Sequence, residues 1–123
     1  MSEPLSSGAA RQRVERYYEL VDAPDLDGML ALFAEDAVYE RPGYEPLRGK
    51  EELDRFYGSE RVIDTGRHTL DDVIADGDRV GVRGRFDGVL KDGREVSVRF
   101  ADFFMLRGDL IAERHTYFFT PSV

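Results

Sequence analysis

The chain has 123 residues, 25 acidic and 17 basic side chains for a net charge of −8, and no cysteine. That length suits one domain able to remove roughly two-thirds of its unfolded surface from water, and the lack of cysteine excludes disulfides and thiol chemistry. The acidic balance argues against nucleic acid or an anionic membrane as partner.

No apolar run reaches the ~20 residues of a membrane span, and the stretch 1–8 lacks the basic start and apolar centre of a signal peptide. The expectation is a cytoplasmic protein with a disordered leader over 1–8 and a single domain over 9–123. Over 9–21, Val14, Tyr17, Tyr18, Leu20 and Val21 recur at helical spacing, and Pro24 stops the run. Asp25 is placed to cap a second helix over 26–33. A short strand over 37–40 ends at Pro42 and Gly43, and a third helix over 51–57 buries Leu53, Phe56 and Tyr57.

After Gly66 the apolar period falls to two. Asp76-Gly77, Asp92-Gly93 and Gly108-Asp109 divide the remainder into strands over 67–75, 79–90, 95–106 and 110–119. Helices followed by a meander give an α+β plan: a curved, mainly antiparallel sheet wrapped on three helices. The strands are apolar on both faces, and three short helices cover only one. A second copy of the chain is the simplest cover for the other, so a homodimer packed through the outer sheet face is expected.

A two-residue turn at Gly108-Asp109 sets Asp102 opposite His115; a loop at Arg107-Gly108 would instead set Asp102 opposite Glu113. A two-residue turn at Asp92-Gly93 sets Arg83 opposite Asp102 and Arg85 opposite Phe100. On this register one face carries Arg83, Arg85, Asp87, Asp102, Glu113 and His115 beside Phe100, Tyr117 and other apolar side chains. So many ionisable groups are costly to bury dry, so the face reads as the wall of a wet or ligand-filled cavity. The alternative for Arg83, Arg85, Asp87 and Glu113 is a solvated surface network. Tyr17 and Tyr57 reach the cavity with their hydroxyls, and His68 is placed at its rim. There is no metal-ligand spacing, phosphate loop or nucleotide fingerprint, and neither a metal nor a cofactor is expected.

The stretches YELVD over 18–22, FAEDAV over 33–38, RGKE over 48–51 and Phe56-Tyr57 resemble the nuclear transport factor 2-like superfamily, in its ketosteroid isomerase and SnoaL-like polyketide cyclase branch. The resemblance implies a cone-shaped α+β barrel with a pocket at its open end. Tyr17 and Asp102 fall where the isomerase keeps its oxyanion-binding tyrosine and neutral aspartic acid. Arg41 stands where its general base would be, which argues against a steroid isomerase. Arg85-Phe86-Asp87 is similar to the Arg-x-Asp pair of limonene-epoxide hydrolase. The expected function is a cofactor-independent acid–base enzyme on a small, partly apolar carbonyl, enol or epoxide compound. Asp102 and His115 would be its acid–base pair, Tyr17 an oxyanion donor, and Arg41, Arg83 or Arg85 an orienting cation. The alternative is a non-catalytic protein that binds an acidic small molecule or serves in assembly.

Overall fold

A computed structural model describes residues 6–120. Helix α1 spans Ser7–Asp22 and starts where the Ser6 hydroxyl accepts from the Ala9 amide, so Ser7 and Gly8 are helical, and 1–5 lie outside the described residues. Its buried stripe, Val14, Tyr17, Tyr18 and Val21, is the one the spacing predicts. Helix α2 is short, Leu26–Leu30, with Asp25 as its cap. It stops before Phe33 because that residue begins a strand, β1 (Phe33–Glu40), which runs parallel to the last strand and seats Phe33 beside Ile111. A two-residue strand β2 (Leu47–Arg48) folds back on β1 before helix α3 (Gly49–Arg55). The chain then makes one widened π-helical turn, Phe56–Glu60, which carries Tyr57.

Strands β3 (Ile63–Asp76), β4 (Arg79–Leu90), β5 (Glu95–Arg107) and β6 (Leu110–Phe118) form the meander. The sheet order is β2-β1-β6-β5-β4-β3, antiparallel except between β1 and β6. The fold is α+β as expected, but the sheet curves round the helices without closing, because β2 and β3 are its two edges. Glycines let β3 and β4 bend closely past a bulky core residue. A Cβ on Gly66 or Gly88 would fall 2.1 or 2.5 Å from the ring of Phe86, so the ring occupies the space their missing side chains leave.

The two hairpins that flank β5 differ from the expected register by one residue each. Between β4 and β5 the loop is three residues, Lys91–Gly93, closed by Leu90 and Arg94 with the Leu90 amide 2.9 Å from the Arg94 carbonyl oxygen. Gly93, at φ 90°, supplies the left-handed residue that such a loop needs. Between β5 and β6 the two-residue Gly108-Asp109 turn is present, and Arg107 faces Leu110. One step on, a β-bulge sets Ile111 opposite Leu106 and Glu113 opposite Met105, with Ala112 as the extra residue. A one-residue slip exchanges the faces of every following side chain. Asp102 therefore pairs with Val82 and Thr116, not with Arg83 and His115.

The consequence is a set of corrections to the expected cavity wall. Arg83, Arg85, Asp87, Glu113, His115 and Tyr117 all lie on the outer face of the sheet. Arg83 pairs with Asp72 at 2.5 Å and Arg85 with Asp87 at 2.9 Å, all four well exposed. His115 sits between Glu40 at 3.2 Å and Glu113 at 3.1 Å, and Tyr117 is 57% exposed. The Arg-x-Asp pair thus stands outside the cone, in the surface network that was its alternative reading.

Candidate functional site

The inner face of β5 presents Val98, Phe100, Asp102, Phe104 and Leu106, all buried, so Asp102 is the one charged position in an apolar strand face. It is fully buried and needs partners. Because of the Ala112 bulge, β6 turns Arg114 and Thr116 to the same side. Arg114 Nη2 donates to Asp102 Oδ2 at 2.8 Å, Thr116 Oγ1 donates to Oδ1, and the Tyr18 hydroxyl donates to Oδ2. The carboxylate is thereby the counterion of Arg114 and accepts from three donors. It is not an isolated carboxyl group, and no imidazole faces it.

Arg114 is the hub of the interior. Its Nη1 donates to the Tyr17 hydroxyl at 2.5 Å and to the Tyr57 hydroxyl at 2.9 Å, and those two hydroxyls lie 2.5 Å apart. The guanidinium carbon also lies 4.9 Å from the Tyr17 ring centre and 4.5 Å from that of Tyr39. Burial works against its charge, but Asp102 and the surrounding phenols hold its pKa well above the ordinary arginine value. Two phenol hydrogens are available at the Tyr17–Tyr57 contact, and one of them is spent between the two oxygens. The other has no partner among the described residues and is free for a ligand.

These groups floor a cavity also walled by Val21, Tyr39, Arg41, Arg61, Ile63, His68, Phe86, Phe100 and Phe118. It is a slot. Counting its open mouth it holds about 420 Å³. Arg41 lies at one wall among the rings of Tyr39, Tyr44, Phe56 and Phe118, with its guanidinium carbon 5.1 to 5.9 Å from their centres. The lining carries three arginines and no carboxylate. Among the described residues, Nε of Arg41 and Nε of Arg114 are buried without a hydrogen-bond partner. No group of three or more His, Cys, Asp or Glu among them could hold a metal ion, and no helix is long and apolar enough to cross a membrane.

Of the expected site residues, Tyr17, Arg41, Tyr57, Phe100 and Asp102 are brought together, and the outer-face six are not. Sequence reasoning missed Tyr18, Tyr39, Arg114 and Thr116. A signal existed for Arg114, since a buried Asp102 requires a cation, but the register placed Arg83 there instead. His68 lines the slot with its side chain 11% exposed, and Asp22 at the end of α1 holds it.

Burial raises the pKa of Tyr57 to about 12, with Arg114 opposing, and pushes Tyr17 and Tyr18 well above the ordinary phenol range; the Asp102 charge adds to the rise at Tyr18. A raised folded pKa favours the neutral phenol in the folded chain. The stabilisation is complete below the unfolded value of about 10 and is lost as pH rises through the folded one. In an alkaline titration followed by phenolate absorbance, Tyr17, Tyr18 and Tyr57 are expected to stay protonated until the chain unfolds. All six tyrosines ionising together near the ordinary value would contradict the network.

A family model for the SnoaL-like domain matches residues 14–114. Among solved structures, the chain is similar to a candidate polyketide cyclase of Xanthomonas campestris pv. campestris, at 25% identity over 90% of each chain with a TM-score of 0.77. An LEH-like epoxide hydrolase of M. tuberculosis aligns over 91% of this chain and 84% of its own, at 20% identity and a TM-score of 0.81. TerC, co-crystallised with polyporic acid, aligns over 89% of this chain and 91% of its own, at 19% identity and a TM-score of 0.80. A curated relative, the orange carotenoid-binding protein of Limnospira maxima, is 36% identical over 53 residues, which are 43% of this chain but only 17% of that protein.

Proposed function

The chain belongs to the SnoaL-like domain family, and from that premise we propose that it is a cofactor-independent acid–base enzyme of the cytoplasm. It would be of isomerase, cyclase or hydrolase type and act on a small, partly apolar carbonyl, enol or epoxide compound in the slot. The observation that carries this reading is the Tyr17–Tyr57–Arg114 cluster: two neutral phenols, backed by a buried cation, with one hydroxyl hydrogen left for an oxygen that gains charge. Structural neighbours described as a candidate cyclase, an epoxide hydrolase and a small-molecule complex support the class of chemistry. The narrowness of the slot favours flat, single-ring compounds. The test is a panel of cyclic ketones, followed by α-deuterium exchange, and of cyclic epoxides, followed by hydration. Rates equal to buffer across the panel would remove the enzymatic reading.

A second reading, a non-catalytic binder of an acidic ligand, is favoured by the three lining arginines and the two unpartnered Nε atoms. Under it, aromatic carboxylates raise the melting temperature, neutral analogues of the same shape do not, and the panel stays silent. The outer face also supports the expected homodimer. Phe103 is 55% exposed, beside Tyr117 and a shallow groove that includes Ile74. Phe103→Asp is expected to yield monomers in sedimentation velocity, and a wild type that is already monomeric would rule the dimer out.

A further inference from the structure

Acid–base chemistry in this slot needs a group that can accept a proton near neutral pH, and the lining narrows the choice. Arg41, Arg61 and Arg114 are cations and cannot serve. The phenols of Tyr17 and Tyr57 are held neutral to high pH, and the hydroxyls of Tyr39 and Thr116 are tied to each other at 3.2 Å. Asp102 is walled off behind Arg114, Thr116 and Tyr18. His68 is the titratable group that remains.

Its setting is organised. His68 Nδ1 lies 2.6 Å from Asp22 Oδ1, and the His68 backbone amide donates to Asp22 Oδ2 at 2.9 Å, so the last residue of α1 grips both the main chain and the ring of β3. The ring is collared by Tyr18, Phe86 and Phe100, with centres 5.0, 4.9 and 5.5 Å away. A carboxylate on Nδ1 fixes the hydrogen there and leaves Nε2 bare. Nε2 has no partner among the described residues.

We propose that His68 is the general base of the slot, with Asp22 as its positioning residue; this rests on the enzymatic reading above. The substrate class is then a small, flat carbonyl compound with an acidic C–H. Nε2 takes a proton from the carbon beside the carbonyl, the C–H electron pair forms the C=C bond of an enolate, and the carbonyl π pair moves onto oxygen. The free phenol hydrogen of the Tyr17–Tyr57 pair receives that oxygen. The imidazolium Nε2–H either swaps with a solvent hydrogen before a proton goes back to the same carbon, which gives exchange, or delivers its proton to a conjugated carbon, which gives isomerisation.

Two measurements test this. In the ligand-free, 15N-labelled protein, long-range 1H–15N correlation is expected to show the neutral His68 ring with hydrogen on Nδ1, and Asp22→Asn to weaken that preference; hydrogen on Nε2 in the wild type would overturn the base whatever the substrate. With cyclohex-3-enone in deuterium oxide, His68→Gln is expected to slow α-exchange about 100-fold or more. Imidazole added to His68→Ala is expected to restore part of the rate. Wild-type exchange in His68→Gln together with loss in Tyr57→Phe would place the base elsewhere and leave the enzymatic reading intact. No exchange by the wild type above buffer, on this ketone or the wider panel, would remove both.

Discussion

Replacing Arg114 with Met is expected to cost about 3–5 kcal/mol of stability, read as an earlier midpoint in urea, because it strands a fully buried carboxylate. Asp102 is 0% exposed and Arg114 6%, so water cannot take the place of the missing guanidinium. Thr116 and Tyr18 would still donate to Asp102, but they bring hydrogen bonds and no charge. Asp102→Asn is expected to destabilise as well, since it leaves the cation buried against three phenols. The double variant, Arg114→Met with Asp102→Asn, should recover much of the loss. Pairs of this kind stabilise little relative to an apolar substitute even though breaking one is costly. Additive losses in the double variant would mean that the two residues act independently.

Tyr57→Phe is expected to lower kcat/KM by about 100- to 1000-fold on any compound the enzyme turns over, with little change in melting temperature. The ring remains to pack against Tyr39 and Phe56, and Tyr17 keeps its bond to Arg114. The phenol that pairs with Tyr17 is lost, so the remaining hydroxyl no longer shares its hydrogen across a 2.5 Å contact, and donation to a ligand oxygen becomes Tyr17's alone, from a deeper position. His115→Ala serves as the control. That side chain stands between two glutamates on the outer face, and turnover should not change. A Tyr57 effect confined to KM would instead assign the phenol to uniform binding.

The helices, the meander and the burial of Asp102 were legible because each is written in local spacing: a helical stripe at Val14, Tyr17, Tyr18 and Val21, an alternation of period two, and turn residues between strands. The β1–β6 pairing was not, since the parallel contact of Phe33 with Ile111 joins segments far apart in the chain. The facing of β4 and β6 failed for a different reason. Asp92-Gly93 serves a two-residue or a three-residue loop equally well, and Ala112 carries no mark that it will be looped out. Each slip is a single residue, and in a strand a single residue reverses inside and outside. Tyr17 and Asp102 were found from their own surroundings, whereas Arg114 and His115 exchanged roles through the register alone. The contact of His68 with Asp22 was not legible either, because Asp22 ends a helix 46 residues earlier.

The extra residue in β6 means that the chain encodes two interiors on one strand. With Ala112 bulged, the cone is lined by Arg114, Thr116 and Phe118; were the strand regular, Glu113, His115 and Tyr117 would take those places. A cationic, phenol-rich chamber and an imidazole–carboxylate one thus differ by an insertion and not by any substitution. In this chain the length of the segment after the last turn therefore decides which side chains line the chamber.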